Sequence, residues 1–292
     1  EVSPDPIGWT NTSVELTAKF TKGDYDIIEK SYSIDGGDFS DYTAPIKVEK
    51  YGVTICFRAW DGVNDPVDVY WTVENIDQTV PEFTEVDPSE TAWTNRDVVI
   101  TVKSQDVVKV GDGFSDIAKQ EYSFDQQNWA PIGGVASGTV TITDNTTVYF
   151  KTTDNAGNST ITDLTIDNID KVDPSITVTP DPELDVWTRE CVITAVFSDV
   201  HSGIATQEYS LDGGNNWENI SVESDTFSYS FTENGKIRFR ATDNAGNKKE
   251  TADYIVSKID RVDPTITVTP VPELDVWTRE CVITAVFSDV HS

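Results

Sequence analysis

The chain has 292 residues, 51 of them acidic and 21 basic, for a formal charge of −30; it holds three cysteines, two histidines and no methionine. That balance excludes a nucleic-acid-binding face, which needs clustered Lys and Arg against phosphate. It favours solubility, repulsion between like segments and capture of divalent cations. No apolar run approaches the ~20 residues of a membrane span, and no signal-peptide pattern opens the chain, so direct membrane insertion of this stretch is not expected.

Taken in order, the predicted elements recur. A Pro-rich entry leads to Trp-Thr at Trp9, Trp93, Trp187 and Trp277. Period-two strands follow, with Val14, Leu16, Ala18 and Phe20, then Val98, Ile100 and Val102, then Cys191, Ile193, Ala195 and Phe197 pointing inward. Next comes Tyr-Ser-x-Asp at Tyr32, Tyr122 and Tyr209, and a late strand with Ile55 and Phe57, Val148 and Phe150, or Ile237 and Phe239 inward. Each unit closes on an Asp-rich turn (Asp61 to Asn64, Asp154 to Asn158, Asp243 to Asn247) and a final strand holding Val73, Ile166 or Val256. Ile-Asp-x-x-x-Pro separates the units at Asp77, Asp170 and Asp260.

Residues 175–202 and 265–292 differ only at Ser175/Thr265 and Asp181/Val271, which marks a tandem array. The expected domains are 1–76, 77–170, 171–260 and the opening strands of a fourth unit, 261–292. Both ends fall inside a repeat, so the sequence reads as a window on a longer array. About seven short strands in each complete unit predict an all-β fold of tandem immunoglobulin-like β-sandwiches in an elongated array. A unit of that size can bury a modest core by itself, unlike a solenoid repeat that needs its neighbours.

Tyr209-Ser210-Leu211-Asp212-Gly213-Gly214, the following Trp217, and Arg240 to Asn247 resemble the bacterial immunoglobulin-like repeats of large cell-surface and secreted proteins. The first unit departs from that pattern at Trp60 and Gly62-Val63, and the second at Gln126-Gln127. The resemblance implies an extracellular structural or adhesive role and names no partner.

No unit holds two cysteines, so the intersheet disulfide of antibody domains is impossible. Cys191 and Cys281 read as buried apolar residues, and Cys56, at an outward position, as a half-exposed thiol. His201 and His291 are one repeat position seen twice, so no His-based triad or two-His metal site forms within a unit. Phosphate loops and nucleophile elbows are absent, and the chain reads as non-enzymatic.

The candidate site is a Ca²⁺ ion at the repeat junctions, because immunoglobulin topology brings the second-to-third and sixth-to-seventh strand loops to the end where the chain enters. For the third unit this gathers Asp170, Asp173, Asp199, Asp243, Asn244 and Asn247; for the second, Asp77, Asp106, Asp154 and Asn158. Asp-Asn-Ala-Gly-Asn also reads as a plain turn, since Gly and Asn tolerate positive φ. Trp187 and its copies read as plugs of the sandwich end, and Trp217 as a cap on its hairpin. Trp60 stands where other units have Thr153 and Thr242, and is the candidate glycan contact.

These features predict an adhesin-like stalk or fibre segment whose partners are neighbouring repeats, identical chains, or a host or matrix glycan or protein. The alternatives are a carbohydrate- or receptor-binding module and a spacer in a secreted polysaccharide-degrading enzyme. The incomplete fourth unit could also take part in strand exchange.

Overall fold

A computed structural model describes residues 1–271, 273, 275 and 277–290; His291 lies outside them. Every regular element among the described residues is a β-strand. The chain divides into two compact units, Glu1–Thr91 with Asp97–Ile169, and Ala92–Arg96 with the chain from Asp170 onward.

The first unit contains two sandwiches, each a three-stranded sheet packed on a four-stranded one. In the first sandwich the small sheet runs Val2–Asp5, Val14–Ala18, Ile46–Val48. The large one runs Ser40–Asp41, Glu29–Ile34, Thr54–Trp60, Val67–Thr72. In the second, Ser137–Ile142, Val98–Gln105 and Glu82–Pro88 face Ala130–Pro131, Ile117–Ser123, Thr146–Asp154 and Ser159–Ile166.

The second unit repeats the scheme. Ser175–Asp181, Cys191–Ser198 and Thr226–Phe231 face Glu218–Ile220, Ile204–Ser210, Gly235–Asp243 and a divided last strand, Lys248–Glu250 and Tyr254–Val256. All pairings within the sheets are antiparallel, which suits alternating sequences with one face buried. The fold is thus a tandem set of immunoglobulin-like β-sandwiches.

Three separate cores follow from the alternation. Val14, Leu16, Ile55, Phe57 and Val73 anchor the first, Ile100, Val148, Phe150 and Ile166 the second, and Ile193, Phe197, Ile237 and Phe239 the third. Phe197 and Phe239 stand edge to face across the two sheets, with ring centroids 6.1 Å apart. The fourth opening forms the hairpin Thr265–Val271 with Val282–Ser288 in the register of the third. Its inward set, Ile266, Val268, Ile283 and Phe287, is exposed, and Cys281 with it.

Three expectations need correction, the first being Cys281, which reads as buried and is exposed in the fourth opening. The Trp-Thr tryptophans do not plug the sandwich ends: Trp93 and Trp187 are exposed, and Thr is the structural half of the pair. Thr10 accepts the Asp77 N–H, Thr94 that of Asp170 and Thr188 that of Asp260, so each Thr ties down the Asp that closes its own repeat. Cys56 is buried, because its cross-strand neighbours Ser33 and Tyr70 flank it on both sides. Cys191 is buried as expected, and its burial pushes the thiol pKa up.

The aromatic after each Tyr-Ser turn caps its hairpin under a cation. Arg58 lies 3.8 Å from the Phe39 ring, Lys151 5.7 Å from Trp129 and Arg240 4.2 Å from Trp217.

Candidate functional site

Two clusters of three aspartates, built alike, are the chemically distinctive feature of the fold. Asp77, Asp106 and Asp154 form one, and Asp170, Asp199 and Asp243 the other; in each, one carboxylate oxygen per residue lies within 4.8 Å of the others. The first lies wholly inside one compact unit and the second wholly inside the other.

Each cluster takes one residue from the linker, one from the loop after the second strand and one from the end of the sixth. The linker Asp77 is fixed by its N–H to the Thr10 carbonyl. Its carboxylate accepts N–H bonds from Thr79 at 3.0 Å and Ser115 at 2.9 Å. Asp106 accepts from Val107, Ser115 and Asp116. Asp154 accepts from the N–H of Asn158 and from its side-chain amide, both at 2.8 Å. The Asn158 amide also donates to the Asp77 carbonyl at 2.9 Å, so one side chain joins linker and closing loop.

The second cluster repeats this atom for atom in several places. Asp170 accepts from Val172 and Ser202, Asp199 from His201 and Gly203, and Asp243 from Asn247 through backbone and side chain. Asn247 donates to the Asp170 carbonyl at 2.9 Å, as Asn158 does to Asp77. Asn244 donates to the Ser202 carbonyl at 2.7 Å and so ties the two loops together.

Asn158 and Asn247 therefore spend their amide N–H groups aiming carboxylates, and Asn244 holds backbone. Asp173 is exposed and stands outside the cluster. The other six aspartates of the sequence-derived set come together as two triads.

Electrostatics distinguish these triads from ordinary turns. Asp77, Asp106, Asp154, Asp170 and Asp243 are all buried, and among the described residues no Lys or Arg pairs with any of the six. Burial pushes the Asp106 pKa up against the N–H bonds from Val107 and Asp116, and the neighbouring Asp77 and Asp154 charges add to the rise. At Asp170 burial acts in the same direction. The Ser202 hydroxyl, the Val172 and Ser202 N–H groups and nearby His201 outweigh it, and the pKa is lowered. His201 Nδ1 is 3.8 Å from Asp170 Oδ1.

Sequence reasoning missed Ser115 and Ser202, whose backbone N–H groups bridge linker and loop. The signal was there: Ser115-Asp116-Ile117-Ala118 matches Ser202-Gly203-Ile204-Ala205. Asp116 and Gly203 even share positive φ, 65° and 77°. An insertion over residues 107–114 hides the match. That insertion adds its own ties: Asp112 accepts from the Thr79 hydroxyl at 2.6 Å, and Gly113 N–H donates to the Ile76 carbonyl at 3.0 Å.

Trp60 is 36% exposed and its indole N–H is taken by the Asn64 carbonyl at 2.7 Å. It borders a cavity of about 420 Å³ with Val2, Ala18, Phe20, Tyr25 and Phe57.

No protein-family model matches the chain, and no curated protein matches it. Among solved structures, the chain is similar to the FN1–FN3 domains of chicken CNTN1. The likeness spans 88% of this chain and 98% of that one, at 13% identity and a TM-score of 0.24.

Proposed function

We propose that this chain is a non-enzymatic structural segment of an extracellular bacterial surface or secreted protein, in which autonomous sandwiches follow one another in tandem as a spacer. The observation that supports it most is where the invariant side-chain chemistry falls. The Thr–Asp–Asn ties recur at Asp77 and Asp170 with the same partners. Repeated chemistry spent on joining repeats is what a spacer needs. A binding repeat would instead spend it on a ligand.

A second reading, a glycan-binding module, draws support from exposed Trp60. Display between a surface anchor and an epitope tests both. The spacer reading expects the epitope to be as accessible as with an unrelated sandwich array of equal repeat number, and no saturable binding to a glycan array. Saturable glycan binding that Trp60→Ala removes would overturn it.

A further inference from the structure

We propose that the Asp170, Asp199 and Asp243 cluster, and its counterpart Asp77, Asp106 and Asp154, each bind one calcium ion. Three carboxylates in one buried place are costly unless a cation or protons neutralise them. Here neither cluster has a Lys or Arg partner among the described residues.

A second observation, independent of the acidic residues, points to a ligand. Ser202 is only 7% exposed, its hydroxyl faces the Asp170 carboxylate, and no donor reaches its oxygen. Asp199 Oδ1 is likewise sealed from solvent without a partner. Buried polar atoms are nearly always satisfied, and an ion is one of the few things that explains an exception. Gln120 and Gln207 also hide a lone Oε1, but these lie among core side chains away from any carboxylate cluster, and one oxygen makes no site.

The donor chemistry selects the ion. Every donor is a hard oxygen: three carboxylates and, in the second cluster, a hydroxyl. Such sets suit calcium or magnesium and disfavour zinc and copper, which want imidazole or thiolate. Calcium takes six to eight oxygens at about 2.4 Å, so ligands on opposite sides of the ion stand about 4.8 Å apart. Oxygens within 4.8 Å can therefore close on calcium as they stand. The Asn158 and Asn247 amides and the Ser115, Gly203 and Ser202 N–H groups already hold the carboxylates in place. One ligand comes from the linker and two from the following repeat, so a bound ion would fasten the joint.

This goes beyond the spacer reading and stands apart from it: a chain that binds no calcium can still be a spacer, and a glycan-binding chain can still hold calcium. The test is calorimetric titration of the full chain, stripped with chelator, using CaCl₂ and then MgCl₂, with Tb³⁺ luminescence as a second readout. Calcium binds at two sites per wild-type chain. Asp199→Asn, which keeps an oxygen to accept the His201 and Gly203 N–H bonds, loses one site. Asp173→Asn, outside the cluster, retains both. Folding of each variant is checked by circular dichroism. The absence of saturable calcium binding by the wild type, or binding that Asp199→Asn leaves unchanged, overturns the proposal; so does a preference for magnesium.

Discussion

Phe239→Ala should destabilise one sandwich and leave the others unchanged. Phe239 is fully buried on the strand Gly235–Asp243 and bridges the two sheets, with Phe197 at 6.1 Å and Phe227 at 6.4 Å between ring centroids. Truncating such a residue typically costs about 3–5 kcal/mol, the lost transfer energy plus the cavity left behind. A sandwich of about 90 residues has roughly 4.5–13.5 kcal/mol in total. The variant should therefore lose about a fifth or more of the stability of its own domain. None of the core neighbours of Phe239 belongs to the other two cores. Amide hydrogen exchange read by mass spectrometry resolves the three separately. Protection should fall steeply in the peptides around Ile193, Ile237 and Val256, and persist around Leu16 and Ile55 and around Ile100 and Phe150. A matching loss in either of the other cores would show one cooperative body, and the reasoning from separate cores would fail.

Gly113→Ala should loosen the tie between the first two sandwiches. A Cβ there would stand 2.2 Å from the Ile76 carbonyl oxygen and 2.6 Å from the Trp9 ring, so the loop must retract and lose its bond to Ile76. Overpacking of this kind costs about 1–3 kcal/mol, and the expected outcome is faster proteolysis within residues 107–116 with both cores still protected. Unchanged cleavage would mean the loop is not seated there. Tyr209 donates to Glu218, and that bond, helped by burial, pushes its pKa up to about 12. The folded form therefore keeps this proton while the unfolded chain loses it near pH 10. The stabilisation is fully present below that pH and is lost as pH rises towards 12. Absorbance at 295 nm should show a late-titrating component that Tyr209→Phe removes; an unchanged titration in that variant would refute the assignment.

The inward faces were legible because strands alternate strictly and the inward positions carry large apolar side chains, as at Cys191, Ile193, Ala195 and Phe197. The triads were legible for a different reason. Three Asp positions recur in order, and sandwich topology alone fixes which loops meet. What escaped was anything decided by a neighbour across a sheet or by backbone. Cys56 sits at an outward position and is still covered, since its flanking strands carry Ser33 and Tyr70 there. Ser115 and Ser202 act through N–H groups that every residue has, so their side-chain identity gave little signal. The Trp of Trp-Thr drew attention as the larger residue, while the neighbouring Thr carbonyl makes the tie.

Asp77 binds backwards through its N–H to Thr10 and forwards through its carboxylate to Ser115, and Asp170 does the same between Thr94 and Ser202. A residue engaged on both sides leaves no slack. Adding or deleting a single amino acid beside it would pull either its amide or its carboxylate off the partner it holds. Residues 107–114 show the opposite tolerance, since an added stretch there leaves the Ser115 and Asp116 bonds to Asp106 in place. Length variation among related arrays should therefore collect in the loops above each joint and spare the few residues that make it.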